Sequence, residues 1–288
     1  LMGLISGYPV GAKIVCHLRE NGLCTKDEGE RMLAFTNNSG PLFIVGTVGI
    51  SLFKNQTIGI ILLVTHILAC ITVGILFGFM KKKDKMKWDR YSVDTTQKDN
   101  KTLGGILGES IKNAISTILI IGGFVVIFSI IISILNNSRI LEIISKMASP
   151  IATNIGINTE FVKPILAGLI ELTNGVKLVS ESSIVNYNLS IILSAFLLGF
   201  GGISVLLQVS SIVAKTDLSM KKYVIGKLLQ GVIASIYVFF ILNFIPNFEI
   251  QSINIKFILS TVLLGVLIIL AGIIIKNFLQ KNMQTKKL

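Results

Sequence analysis

Leu33-Ala34-Phe35-Thr36-Asn37-Asn38-Ser39-Gly40-Pro41-Leu42-Phe43 lies inside an apolar run, residues 33–53. A run of that size matches the ~20 residues an α-helix needs to cross ~30 Å of hydrocarbon. Its centre is nevertheless Asn-Asn-Ser-Gly-Pro, and Pro41 can only start a helix, since it has no N–H to continue one. In lipid, such an interruption leaves peptide N–H and C=O groups unmet at several kcal/mol each. It survives only inside protein or beside a watery cavity. The stretch therefore predicts a membrane helix built as two halves that meet at a polar site.

The same interruption recurs about 161–164 residues later. Ala34-Phe35, followed five residues on by Gly40-Pro41, is answered by Ala195-Phe196, followed five residues on by Gly201-Gly202. Upstream, Gly11-Ala12-Lys13 is answered by Gly175-Val176-Lys177. Duplicated interruptions in an apolar chain point to a transporter's binding site.

The rest of the 288 residues agrees with a membrane setting. Hydrophobic residues make up 52% and charged residues 15%, and mean hydropathy is +0.77; soluble domains carry nearer a quarter charged. Apolar runs recur at 33–53, 58–80, 115–135, 189–213, 223–244 and 257–275. The net charge of +12 follows sidedness. With 81–101 placed in the cytoplasm, inner segments hold 18 Lys/Arg and outer ones 5, with Lys13, Lys112, Lys177 and Lys227 in or beside apolar segments. That is the positive-inside bias, and it removes nucleic acid as a partner. Cys16, Cys24 and Cys70 do not have zinc-ribbon spacing, so no metal site is expected. His66, alone in its apolar run, reads as a packed helix residue. There is no catalytic constellation, and neither an enzyme nor a cofactor is expected.

The chain divides into a first repeat at 1–80, a basic linker with an interfacial helix at 81–114, a connecting span and outer interfacial segment at 115–160, a second repeat at 161–245, and a final span with a basic tail at 246–288. Each repeat holds a re-entrant hairpin, a broken helix and a return helix. The first hairpin turns at 6–11, where Gly7 and Gly11 tolerate the bend that Pro9 imposes. Only residues 1–5 precede it, against 161–171 in the second copy, so preceding spans are expected upstream. Thr25 and Glu28 form a capping-box pattern. Trp88 falls in the linker, 103–114 reads as an amphipathic surface helix, and the second hairpin tip is expected at 172–175. Three crossings separate the hairpins. An odd number inverts one repeat relative to the other, the arrangement of alternating-access carriers.

Asn37, Asn38 and Ser39 supply donors and acceptors at the first break, beside Gly40. Thr173, Asn174 and Gly175 at the second tip, facing Gly201 and Gly202, could do the same from the opposite side. Free N–H groups at half-helix N-termini favour an anion. Lys13, Lys177 and Glu171 are the ionisable residues nearest the expected midplane, where a charge costs at least ~2.5–3.5 kcal/mol and takes a partner or ligand. The lysines could neutralise a dianion together; alternatively, Glu171 pairs with Lys177. Gln208, in mid-helix, completes the candidate set.

The segments 6–13 (Ser-Gly-Tyr-Pro-Val-Gly-Ala-Lys), 33–43, 168–175 (Gly-Leu-Ile-Glu-Leu-Thr-Asn-Gly) and 195–202 (Ala-Phe-Leu-Leu-Gly-Phe-Gly-Gly) closely resemble the sporulation integral membrane proteins of the YlbJ type. Those proteins contain the nucleoside-recognition gate domain also found in concentrative nucleoside transporters. Asn37-Asn38-Ser39-Gly40-Pro41 is the most specific part; Thr36 and His17 depart from the expected residue types. The resemblance implies an all-α polytopic membrane protein with an inverted repeat, like a concentrative nucleoside transporter. It further implies import of dipicolinate, a small planar dianion, across the outer forespore membrane. Alternatives are a carrier of nucleosides or another small metabolite, and a structural membrane component. The expected partners are the lipid bilayer and a small anionic substrate, with a homo-oligomer left open.

Overall fold

A computed structural model describes residues 2–79, 102–154 and 156–244. The linker with Trp88, the run 257–275 and the basic tail lie outside the described residues. Helix α1 (Met2–Ser6) ends at Gly7, which adopts φ 78°. Helix α2 (Val10–Glu20) begins after Pro9. The expected first hairpin is this pair. Helix α3 (Lys26–Thr36) carries the expected capping box: Glu28 N–H donates to Thr25 Oγ1 at 3.3 Å, and Thr25 N–H donates to Glu28 Oε2 at 3.0 Å. The chain leaves α3 in extended backbone at Asn37 and resumes after Pro41 as a π-helix, Leu42–Leu52. Helix α4 (Gln56–Phe79) follows.

The second repeat has the same element order. Helices α7 (Val162–Ile170) and α8 (Leu172–Glu181) form a hairpin. Helices α9 (Tyr187–Phe200) and α10 (Gly202–Val213) are two halves joined at Gly201, and α11 (Lys221–Phe244) has the same 24-residue length as α4. Between the repeats run α5 (Leu103–Asn137) and α6 (Ile140–Asn154). Four helical segments among the described residues are long and apolar enough to cross a membrane: Gln56–Phe79, Leu103–Asn137, Tyr187–Val213 and Lys221–Asn243. The protein is an integral membrane protein on that evidence together with the relative described below.

Several boundaries differ from the sequence reading. The surface helix 103–114 and the span 115–135 are one continuous helix of 35 residues. Thr102 Oγ1 caps it by accepting from Gly105 N–H, and no proline interrupts it afterwards. The segment 136–160 contains helix α6 despite Pro150. The second tip lies at Glu171, with φ −140° and ψ 120°, so Leu172–Gly175 become the first turn of α8.

Helix α11 is the central strut, packed on α9, α4 and α3. In lipid, close packing of small residues replaces hydrophobic transfer as the force joining helices. Gly199 of α9 meets Gly231 of α11 backbone to backbone, and a Cβ on Gly226 would lie 2.8 Å from the Ala34 carbonyl of α3. At one end, ion pairs tie the first repeat to the α10–α11 connection. Arg19 holds Asp217 with two bonds of 2.9 Å, Lys222 pairs with Asp27 and lies 3.1 Å from Glu30, and Glu30 also accepts from Ser219 N–H at 3.1 Å.

Candidate functional site

Three of the four interruptions, the two hairpin tips and the first helix break, line one cavity of about 310 Å³, and α10 reaches it beyond the Gly201-Gly202 break. The first tip contributes Ser6, Gly7 and Tyr8; the first broken helix Ser39, Gly40, Leu42 and Phe43; the second tip Glu171, Leu172 and Thr173; and α10 adds Ser204, Val205 and Gln208. Ile121, Phe124 and Val125 of α5 close an apolar side. Tyr8, Ser39 and Gln208 are among the lining residues; the Tyr8 and Ser39 hydroxyls lie beside each other, and Gln208 Nε2 is buried without a hydrogen-bond partner among the described residues. A buried donor costs about 1–3 kcal/mol if left unmet, so the lining favours a polar occupant. Helix α10 opens beside it with no side-chain cap.

Glu171 has a different task from the one sequence spacing implied. It is 1% exposed, and its two carboxylate oxygens accept the N–H groups of Thr173 and Asn174 at 2.9 and 2.8 Å. A carboxylate at a helix N-terminus satisfies free amides and the dipole together. The N-terminus of α8 is therefore occupied by the protein's own anion. Lys177 is not its partner; it lies 4.0 Å from Glu181 with a side chain 61% exposed.

The first break is held from behind. Asn37 and Asn38 are fully buried. Asn37 Oδ1 accepts from Ala12 N–H at 3.3 Å, and its amide donates to Tyr223 Oη at 2.9 Å. Asn38 Oδ1 accepts from Gln230 Nε2 at 2.7 Å, while its amide donates to the Phe35 carbonyl at 2.7 Å. Lys227, 0% exposed, donates to the Asn37 carbonyl at 3.2 Å, Gln230 Oε1 at 2.8 Å and Asn38 Oδ1 at 3.5 Å. Its Nζ sits 5.2 Å from the centroid of the Tyr8 ring. His66 borders the same network, with Nε2 at 3.4 Å from Gln230 Nε2.

Of the expected site residues, Ser39, Gly40, Glu171, Thr173 and Gln208 line the cavity. Asn37 and Asn38 brace its wall. Asn174 donates to Ser129 Oγ of α5 at 2.8 Å. Gly175 packs on Gly168. Gly201 lies against the Tyr8 hydroxyl, and Gly202 against the backbone of Gly168 and Leu172. Lys13 donates to Thr117 of α5, so the two repeat lysines are not brought together. Sequence reading missed Tyr8, Lys227, Gln230 and Tyr223. Their signal was two polar residues three apart, Lys227 and Gln230, within an otherwise apolar helix.

This geometry is that of an integral membrane protein whose interrupted helices surround a polar cavity. The nucleoside-recognition family called Gate matches residues 118–216, which run from α5 through the second hairpin to the end of α10. The chain is also a homologue of the sporulation integral membrane protein YlbJ of Bacillus subtilis, strain 168: 34% of residues are identical over 251 aligned positions. The alignment covers 82% of this chain and 61% of that protein. No solved structure matches the chain.

Proposed function

We propose that this chain forms a sporulation membrane carrier whose cargo, dipicolinate, crosses the outer forespore membrane through the central cavity. The observation that carries this reading is the convergence of three chain breaks and α10 on one space lined by the polar residues Tyr8, Ser39 and Gln208. Packing alone does not call for that arrangement, because tight contacts between membrane helices close space with small residues and mutually bonded polar groups instead of leaving a polar cavity. The element order supports an inverted repeat. The broken unit α3–π-helix, then α4, α5 and α6, separate the two hairpins; if the broken unit, α4 and α5 each cross the bilayer, the odd number puts the hairpins on opposite sides. A planar aromatic acid matches a lining that joins apolar Phe43, Phe124 and Ile121 to hydroxyl and amide donors.

One observation favours a second cargo. Among the described residues no lysine or arginine lines the cavity, and the Gln208 amide with flanking aromatics also suits an uncharged nucleoside. Uptake of labelled dipicolinate against labelled uridine, by full-length protein in liposomes, separates the two. Dipicolinate flux that drops at least tenfold in Gln208→Leu is the expected result. Flux of uridine alone transfers the reading to nucleosides. No flux of either cargo leaves a structural membrane component and ends the carrier reading.

A further inference from the structure

We propose that Lys227 is the positive charge that selects an anionic cargo, acting across the ring of Tyr8. This inference rests on the cavity being a cargo site and adds what that site recognises. An ionisable group inside a membrane helix bundle is costly and normally has a counter-charge or a function. Lys227 is fully buried, and its three hydrogen bonds go to neutral oxygens: the Asn37 carbonyl, Asn38 Oδ1 and Gln230 Oε1. The titratable groups around it are Tyr8, His66, Cys70 and Tyr223. No ion pair joins it to a carboxylate among the described residues. Dipoles that favour an ammonium surround its Nζ, including the C-terminal end of α3, and none of these groups is a carboxylate.

Tyr8 stands between this charge and the cavity. Its ring faces Lys227 Nζ at 5.2 Å, while the residue also lines the cavity, with its buried hydroxyl beside Ser39. Gln208, whose Nε2 is buried without a partner among the described residues, is a further polar residue of the lining. The second tip presents the Glu171 carboxylate instead, already bound to two amides of α8. The field across the cavity thus runs from Lys227 behind Tyr8 to Glu171. An anionic group is drawn to the Tyr8 wall and repelled from the Glu171 wall, so one ligand carboxylate meets the Tyr8 hydroxyl with Lys227 behind it. Sequence spacing had pointed to Lys13 and Lys177, which are held elsewhere.

The test compares dipicolinate with its uncharged diamide, pyridine-2,6-dicarboxamide, in equilibrium binding to full-length protein in nanodiscs. Wild type is expected to prefer dipicolinate. Lys227→Gln keeps a donor for the Asn37 carbonyl but removes the charge. It should weaken dipicolinate by roughly tenfold or more, the effect of one charge at close range in a medium of intermediate dielectric, and leave the diamide within about twofold. Equal loss of both ligands would assign Lys227 to bracing the break and overturn the proposal, as would unchanged dipicolinate affinity. Tyr8→Leu removes the partition while leaving Lys227 in place. Both ligands should bind more weakly there, yet the preference for dipicolinate should persist; a ratio falling to one overturns the proposal even if Lys227→Gln does not fold. Wild type that binds the diamide or uridine but not dipicolinate sinks the charge selection and spares the cavity. Wild type that binds none of them sinks both.

Discussion

Between Thr36 and Pro41 the chain leaves helix through extended residues whose side chains reach across to α11 and α2. Between Phe200 and Gly202 it turns through two glycines, at φ 87° and 78°, that press against the hairpin backbone and the Tyr8 hydroxyl. The two breaks occupy matching places in the two repeats but are held by different physics. A break made of asparagines needs partners, and Lys227, Gln230 and Tyr223 supply them from a helix nearly 190 positions later. A break made of glycines needs only space and a left-handed backbone. The first should therefore fail when a polar partner is lost, and the second when volume is added.

Volume in the second break should have the largest effect. In Gly202→Val a β-branched residue must adopt φ 78°, and its Cβ would lie 3.0 Å from the Gly168 carbonyl oxygen. Left-handed strain and overpacking together should destabilise by roughly 3 kcal/mol or more, seen as loss of monodisperse protein from the membrane fraction. An intact, normally melting variant would mean that the second break is not tightly packed.

Loss of a partner at the first break comes next. Lys227→Met leaves three buried oxygens short of a donor, at about 2–4 kcal/mol in total. Asn38→Ala removes one of those oxygens, so the double variant should cost less than the sum of the singles. Strict additivity in a melting series would show that the network does not brace the break. At the second tip, Glu171→Gln keeps one acceptor oxygen of the cap but loses the charge, an expected cost of about 1–2 kcal/mol. Faster hydrogen exchange should be confined to the amides of Thr173 and Asn174; exchange changes spread over α9 would contradict a local cap.

The smallest effect belongs to the clasp at the end of the bundle. Hydrogen bonding from Arg19 holds the Asp217 carboxyl below its ordinary value. The pair's contribution is therefore complete above the ordinary aspartate pKa of about 3.9 and is lost as pH falls through the lowered folded value. Stability should not change between pH 7 and 5 on this account, and Asp217→Asn should matter least at high salt, since exposed pairs are screened. An effect that grows with salt would exclude this ion pair as its cause.

Local chemistry explains which features were legible beforehand. Pro41, Pro9 and the glycines at 201 and 202 announce breaks because proline lacks a donor and glycine tolerates positive φ, whatever surrounds them. Apolar length announces spans, and Thr25 with Glu28 announces a cap. The 35-residue run of α5 divides in sequence after residue 114, where an amphipathic stretch gives way to an apolar one, although nothing there stops a helix. Lys227 passed as one more charge in an apolar segment, because its importance lies in contacts with Asn37, Asn38 and Tyr8, far away in the chain.

By itself, the sequence determined that this is a membrane protein of two similar interrupted units, since hydropathy and backbone restriction act over a few residues at a time. Only the tertiary structure decided that both hairpin tips and the first break share one cavity, that Glu171 caps α8 instead of pairing with Lys177, and that Lys227, unlike Lys13 and Lys177, is fully buried behind the first break. Electrostatics and hydrogen bonding depend on separation in space, and the packing of α11 against α3 and α9 sets those separations.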